Sequence, residues 1–301
     1  MVETEIWPNL LEVCRTKKVK VCLTNARLSE RSYKKYKKFG DLSKNLLSRI
    51  DKIISQSDRD SSNFINLGYP STQISTSGSI KYDLAPDPAL IEKGKMLYQN
   101  SWNNSIVVCA ASTHDGEEKI ILSAFEEIKA SNKSVKLIIV PRHPGRFNDV
   151  YELSKKYSQN VVKKSQASIN DLKEAEILVG DTMGEMTLYL SMANISFVGG
   201  SLVKIGGHNL LEPASLKVPI ITGRYLYNFK EISENLIKAS ALEVVSNEQE
   251  LLIAMNNLID SKDLRLSMLE AGYRVYAQNK GALYKQLTTI ETLLPKIAWG
   301  F

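Results

Sequence analysis

Short apolar runs rich in valine and isoleucine alternate along this chain with segments whose apolar positions fall three or four apart. The clearest runs are residues 19–24, 106–110, 135–140, 177–180, 195–198 and 218–222. Runs with no polar alternation mark strands covered on both faces, and helical periods between them mark a parallel sheet with helices on either side. Residues 116–130 show the helical pattern well: Ile121, Ala124, Phe125 and Ile128 share one face. Asp115 and Glu118 have the spacing of a capping box at its start. Residues 262–280 and 282–295 read as two further helices with spaced leucines.

The pattern breaks between residues 85 and 104, where Pro86, Pro88 and polar residues suggest a domain boundary. Residues 104–280 then supply a full set of strand–helix units. Residues 1–84 supply two or three strands, fewer than a complete doubly wound domain of about 100–150 residues holds.

Composition narrows the class without choosing a function. Hydrophobic content is 43% and charged content 24%, ordinary for a globular chain of 301 residues. Lys and Arg outnumber Asp and Glu 39 to 33, which favours anionic partners such as phosphorylated lipid, a membrane surface or nucleic acid. No recognised nucleic-acid motif accompanies the basic residues, and no apolar run approaches the roughly 18–20 residues of a spanning helix. Cys14, Cys22 and Cys109 stand singly, without zinc spacing. The three histidines lie far apart in the sequence, and no clustered carboxylates suggest a metal site.

The densest candidate chemistry is Phe197-Val-Gly-Gly-Ser-Leu-Val-Lys-Ile-Gly-Gly-His-Asn-Leu-Leu-Glu-Pro213. Its two glycine pairs let backbone pass close to a ligand, and a helix opened by His208 and Asn209 would offer amides to a phosphate. Asn209 and Glu212 are three apart on one helical face, where Glu212 can accept ribose hydroxyls. It also suits a first helical turn with no ligand at all. Lys204 could add charge or be solvated. Arg142, between Pro141 and His143 past a strand end, is placed either for a phosphate or for solvent. In Gly180-Asp-Thr-Met-Gly-Glu185 the turn can read a base edge, with Met183 on its face, or serve only to cap a helix through Asp181 or Thr182. Asn25, Arg27, Ser29 and Arg31, followed by Lys34, Lys35, Lys37 and Lys38, form either a basic patch for an anionic acceptor or a solvated helix face.

Taken in order, these blocks resemble the transferases of 3-deoxy-D-manno-octulosonic acid (Kdo). The 197–213 segment is similar to their donor-site signature. Further matching blocks are Glu3-Thr-Glu-Ile-Trp-Pro-Asn9, Asn25-Ala-Arg-Leu-Ser-Glu-Arg31, Ser77-Gly-Ser-Ile-Lys-Tyr-Asp83, Ala111-Ser-Thr-His-Asp-Gly-Glu117, Val140-Pro-Arg-His-Pro144 and the 180–185 turn. The resemblance covers nearly the whole chain. It implies an α/β fold of the GT-B glycosyltransferase type, with two Rossmann-like domains, the first incomplete. It would divide into a partial acceptor-side domain at 1–84, a linker at 85–103 and a CMP-sugar-binding domain at 104–301 whose last helices cross back.

The implied activity is metal-independent, inverting transfer of Kdo from CMP-Kdo to a lipid IVA acceptor at the cytoplasmic face of the inner membrane, with peripheral membrane contact and no cofactor. Pro141, Arg142, Met183, Gly184, Glu185, Asn209, Leu210, Leu211 and Glu212 would hold CMP. Glu3 and Lys81 would stabilise the transition state, unless Glu3 is a frayed terminal residue and Lys81 a surface lysine. The Gly-Glu block that carries the family's general base has no counterpart here, so the resemblance implies a chain that binds CMP and turns over little. Two other classes stay open: a GT-B enzyme for another nucleotide sugar, and a non-catalytic nucleotide-binding remnant.

Overall fold

The computed structural model describes residues 1–83, 85–131 and 133–294. They fall into two compact units, one formed by Met1–Asp83 together with the chain from Asn279 on, the other by the stretch between.

The first unit opens with α1 (Pro8–Thr16), β1 (Cys22–Ala26), α2 (Glu30–Lys38), α3 (Asp41–Leu47), β2 (Lys52–Ser55), α4 (Asp58–Asn66) and β3 (Ile74–Thr76). Its sheet is parallel and three-stranded, in the order β1-β2-β3. Leu23, Ile53, Leu47, Phe64 and Leu11 form its core. Serine hydroxyls start two of its helices: Ser29 accepts from the Ser32 amide and Ser57 from the Asp60 amide.

The second unit begins with α5 (Pro88–Ser101) and β4 (Ile106–Thr113), followed by α6 (Glu117–Ala130), β5 (Val135–Pro141), α7 (Phe147–Ser154) and β6 (Val161–Lys163). Next come α8 (Ile169–Glu174), β7 (Ile177–Val179), α9 (Met186–Ser191), β8 (Ile195–Val198) and α10 (Leu211–Ser215). The unit closes with β9 (Ile220–Gly223), α11 (Lys230–Lys238), β10 (Leu242–Val245), α12 (Glu248–Asp260) and α13 (Lys262–Gln278). The last described helix, α14 (Ala282–Glu291), belongs to the first unit, where it packs against β1 and the turn at Ile80–Asp83. The ends of the expected 282–295 helix and of the 104–301 domain lie outside the described residues.

The larger sheet is wholly parallel in the order β10-β9-β8-β4-β5-β7-β6. Two apolar layers cover it. One holds Phe125, Ile121, Leu137 and Phe197, the other Trp102, Val107, Ile138 and Tyr189. From β4 the chain builds outward through β5, then returns to pair β8 on the other side. That reversal opens a crevice at the carboxyl ends of β4, β5 and β8, the usual place for a ligand in such a sheet.

Three local expectations are corrected. Residues 85–103 are not a bare linker, because α5 occupies most of them and packs on α9. Pro88 sits at the first helical position and the Asp87 side chain accepts from the Ala89 amide. The prolines therefore start a helix instead of breaking one. The capping box at α6 does not form. Gly116 is the left-handed cap, Asp115 turns to Arg146, and Glu118 turns inward to Thr113 and Arg146. The short strands β2, β3, β6 and β10 were not singled out as apolar runs. In β10 the two central residues, Glu243 and Val244, are exposed at the sheet edge, which hides the strand signal.

Candidate functional site

The loops after β4, β5, β7 and β8 surround a cleft of about 300 Å³ in the second unit. Ser112, Pro141, Arg142, Met183, Gly184, His208, Asn209 and Glu212 are among its lining residues. Ser112 holds a positive φ of 54° at the end of β4, a strained conformation of the kind that collects at functional sites. The Arg142 backbone amide donates to the Thr113 carbonyl (3.0 Å), tying the β5 and β4 ends together. Its side chain is exposed, and among the described residues no hydrogen bond or ion pair engages the guanidinium.

The glycine segment is built around a buried acid that the sequence reading left without a role. Glu117 is fully buried and accepts four backbone amides, those of His114 (2.9 Å), Gly200 (2.7 Å), Ser201 (2.9 Å) and Leu202 (2.9 Å). Four N–H donors satisfy the carboxylate, as a buried charge requires. A methyl group at Gly199 would lie 2.5 Å from the Ser112 carbonyl oxygen, so no larger residue fits there. The Gly206 and Gly207 amides both donate to the Gly200 carbonyl. These five loop amides are thus occupied within the protein and are not a phosphate cradle. α10 spans only five residues and its Leu211 amide is taken by the Asn209 side chain, so the expected helix-terminus site is also small. The signal for Glu117 was present: an acid that opens an apolar helix within the 111–117 block.

The three histidines, distant in sequence, converge. The His114 and His208 rings are nearly parallel and meet edge to edge, with centroids 5.0 Å apart and Nε2 atoms 2.7 Å from each other. The bond needs opposite tautomers: one ring carries its proton on Nε2 and donates, the other carries it on Nδ1 and accepts. His143 meets His114 edge-on at 5.3 Å. Burial, followed by His114, Arg142 and His143, lowers His208 to about 4. His114 is lowered too, first by burial, against an opposing effect of Glu117. Among the described residues no three His, Cys, Asp or Glu side chains form a metal-ligating set.

Pro141, Arg142, Met183, Gly184, Asn209 and Glu212 therefore meet in one cleft, whereas three other candidates do not present side chains to it. Leu210 and Leu211 are buried core residues. Glu185 accepts from Thr182 Oγ1 (2.5 Å) and Lys93 (3.0 Å); these bonds lower its carboxyl against the upward effect of burial. Neither Asp181 nor Thr182 caps α9: Asp181 accepts from the Ser165 amide and hydroxyl, and Glu185 itself is the cap residue. Lys204 is exposed and lies outside the cleft lining. Burial raises the Glu212 carboxyl, partly offset by a bond from Asn209 (3.3 Å) and by Arg142.

In the first unit Glu3 is not frayed. Its amide donates to the Thr24 carbonyl (3.0 Å), and its carboxylate lies 3.4 Å from Asn25 Nδ2 and 3.7 Å from Lys81 Nζ. Asn25 is buried, not part of an open basic patch, while Arg27 is half-buried and Arg31 exposed. Lys35, Lys37 and Lys38 stand on the exposed side of α2.

Two parallel α/β units, with a cleft at the strand ends of the larger, define the class: the chain has the GT-B glycosyltransferase fold. A glycosyltransferase from Rickettsia africae shares it, with a TM-score of 0.55 over 94% of this chain and 78% of that one at 15% identity. The chain belongs to the 3-deoxy-D-manno-octulosonic acid transferase family. It is 37% identical over 297 residues to the 3-deoxy-D-manno-octulosonic acid transferase of Haemophilus influenzae, covering 98% of this chain and 69% of that protein. Residues 1–84 match the family model described as 3-deoxy-D-manno-octulosonic-acid transferase (kdotransferase). The C-terminal CMP-Kdo binding domain of WaaA from Acinetobacter baumannii superposes with a TM-score of 0.59 at 31% identity, over 63% of this chain and 98% of that domain.

Proposed function

We propose that the chain moves Kdo from CMP-Kdo to a lipid IVA acceptor, with inversion, in lipopolysaccharide biosynthesis at the cytoplasmic face of the inner membrane. The supporting observation is that six residues assigned to CMP line one cleft, in a unit similar to a CMP-Kdo binding domain. Arg142 is assigned to the phosphate, Asn209 and Glu212 to the ribose, and the Met183–Gly184 turn to the cytosine. Leu210, Leu211 and Glu185 contribute through backbone and turn geometry.

An acceptor oxygen forms the new bond to the anomeric carbon as the bond to CMP breaks, its proton passing to a base outside the residues assigned here. Lys81, paired with Glu3 in the first unit, offsets charge developing on the donor. Positive charge comes from Arg142 and Lys81, in a metal-independent reaction without a cofactor. No helix among the described residues is long and apolar enough to cross a membrane. The lysines of α2 suit peripheral contact with an anionic surface.

Calorimetric titration with CMP and UMP tests the donor. CMP is expected to bind at least about tenfold more tightly than UMP, a difference of about 1.4 kcal/mol. Equal affinities would point to another nucleotide sugar, and binding of neither would overturn the reading.

A further inference from the structure

Five amides of the glycine segment are already taken within the protein. Glu117 occupies the amides of Gly200, Ser201 and Leu202, and the Gly200 carbonyl occupies those of Gly206 and Gly207. Beside the exposed Arg142 stands the His114–His208 pair, and its seat is built. Gly200, at φ +66°, lies so close to the His208 ring that a methyl group there would meet Cδ2 at 2.9 Å. The His114 amide is held by Glu117, so one buried carboxylate fixes both loops that carry the rings.

We propose, on the CMP reading above, that His114 and His208 act as one proton-coupled receptor for the nucleotide phosphate. The pair takes up a single proton when the phosphate enters and releases it when the phosphate leaves. The proton adds to the free Nδ1 of the ring that donates through Nε2. The Nε2···Nε2 bond at 2.7 Å stays in place and becomes charge-assisted, and no ring has to turn. The cleft then presents two positive charges, the pair and Arg142, to the doubly charged phosphate of CMP.

The surroundings explain why the pair waits for a ligand. His114 faces Glu117, His143, Arg146 and Arg142; His208 faces His114, Arg142 and His143. The single carboxylate among them already accepts four amides, while Arg146 is paired with Asp115 and Glu118. Burial and the nearby cations favour the neutral form of both rings. A bound dianion reverses the sign of the local field, and imidazole is the side chain that can answer near neutral pH.

The test is calorimetry on the 301-residue chain at pH 7.5, in two phosphate-free buffers of different ionisation enthalpy. CMP is expected to bind with uptake of about half to one proton, and its affinity should rise up to about tenfold per pH unit from pH 8.5 to 7. Cytidine, lacking phosphate, should bind with no uptake. H208Q should abolish the uptake and weaken CMP about tenfold while leaving cytidine affinity unchanged.

The ring C–H resonances of the wild-type chain give a second readout that needs no variant. Two of its three histidines should move towards the imidazolium position with CMP and stay with cytidine. CMP binding without proton uptake, or uptake that persists in both H114Q and H208Q, would overturn the proposal and leave the nucleotide reading standing. Inorganic phosphate taken up with a proton when CMP is refused would keep the pair and overturn the nucleotide. Refusal of both would overturn both.

Discussion

The two sheets end in opposite ways. At the carboxyl end of the smaller one, buried Asn25 sits at a positive φ of 48° and each of its polar atoms is met from within the unit. Its amide donates to Gln286 Oε1 (3.1 Å) and its carbonyl accepts from Gln56 Nε2 (2.9 Å). Its side chain accepts from the Ile80 amide (3.2 Å) and donates to Glu3 (3.4 Å). At the carboxyl end of the larger sheet, Arg142 is exposed with no hydrogen bond or ion pair to its guanidinium among the described residues, Glu212 is pushed up by burial and His208 down. The same topology is sealed by its own side chains in one unit and left poised in the other. Perturbed groups gathered in a crevice mark the place where a ligand completes the chemistry.

The strongest break of this contrast is Glu117→Ala. It removes a buried acceptor from four amides and frees the loop that seats His208. A loss of about 3–5 kcal/mol in unfolding free energy is expected, measured by denaturant titration, together with loss of CMP binding. A stable variant that still binds CMP would show that the loop holds itself. Next comes the sealed end. Asn25→Ala strips both side-chain bonds and places a Cβ-bearing residue without a polar group at positive φ, at a cost of about 2–3 kcal/mol. Asn25→Gly, which relieves the φ strain, should recover part of that loss; equal losses would show that only the side-chain bonds matter.

Much of this was legible in the chain. The strands β4, β5 and β8 carry no polar alternation because helices cover both faces, and that rule alone identifies the parallel sheet. Arg142, Asn209 and Glu212 stand past strand ends, where position in the chain predicts position in the crevice. Pairings across long sequence distance were not legible. His114 and His208 are 94 residues apart, and only the strand order β8-β4 brings their loops together. Glu117 was hidden by a competing local pattern, since an acid at a helix start fits a cap as readily as a buried hub. The linker reading failed on Pro88, whose meaning depends on whether a helix follows.

Arg142→Ala should sharpen the contrast without disturbing the fold. The guanidinium has no partner to lose among the described residues, so the thermal midpoint should stay within about 1–2 °C. CMP affinity should fall by about 1.5–3 kcal/mol, the range for a hydrogen bond to a charged group. Unchanged CMP affinity would remove Arg142 from the phosphate.

The smallest and most discriminating effect belongs to Glu212→Gln. Burial raises the Glu212 carboxyl more than Asn209 and Arg142 lower it. A carboxyl whose folded pKa exceeds its unfolded value binds more protons in the folded state, so it lowers stability as pH rises from the ordinary glutamate range through the folded pKa. The unliganded Gln variant, which cannot ionise, should therefore be at least as stable as the wild type at pH 7. Its advantage should vanish as pH falls back into the glutamate range. Ligand binding should move the other way: CMP weakened by about 1 kcal/mol, through loss of a charged acceptor for the ribose hydroxyls, and free cytosine unaffected. Thermal unfolding from pH 4 to 8 and paired CMP and cytosine titrations measure both. A variant less stable at pH 7 with equal losses for CMP and cytosine would make Glu212 a structural residue at the start of α10, and the poised cleft would lose its acid.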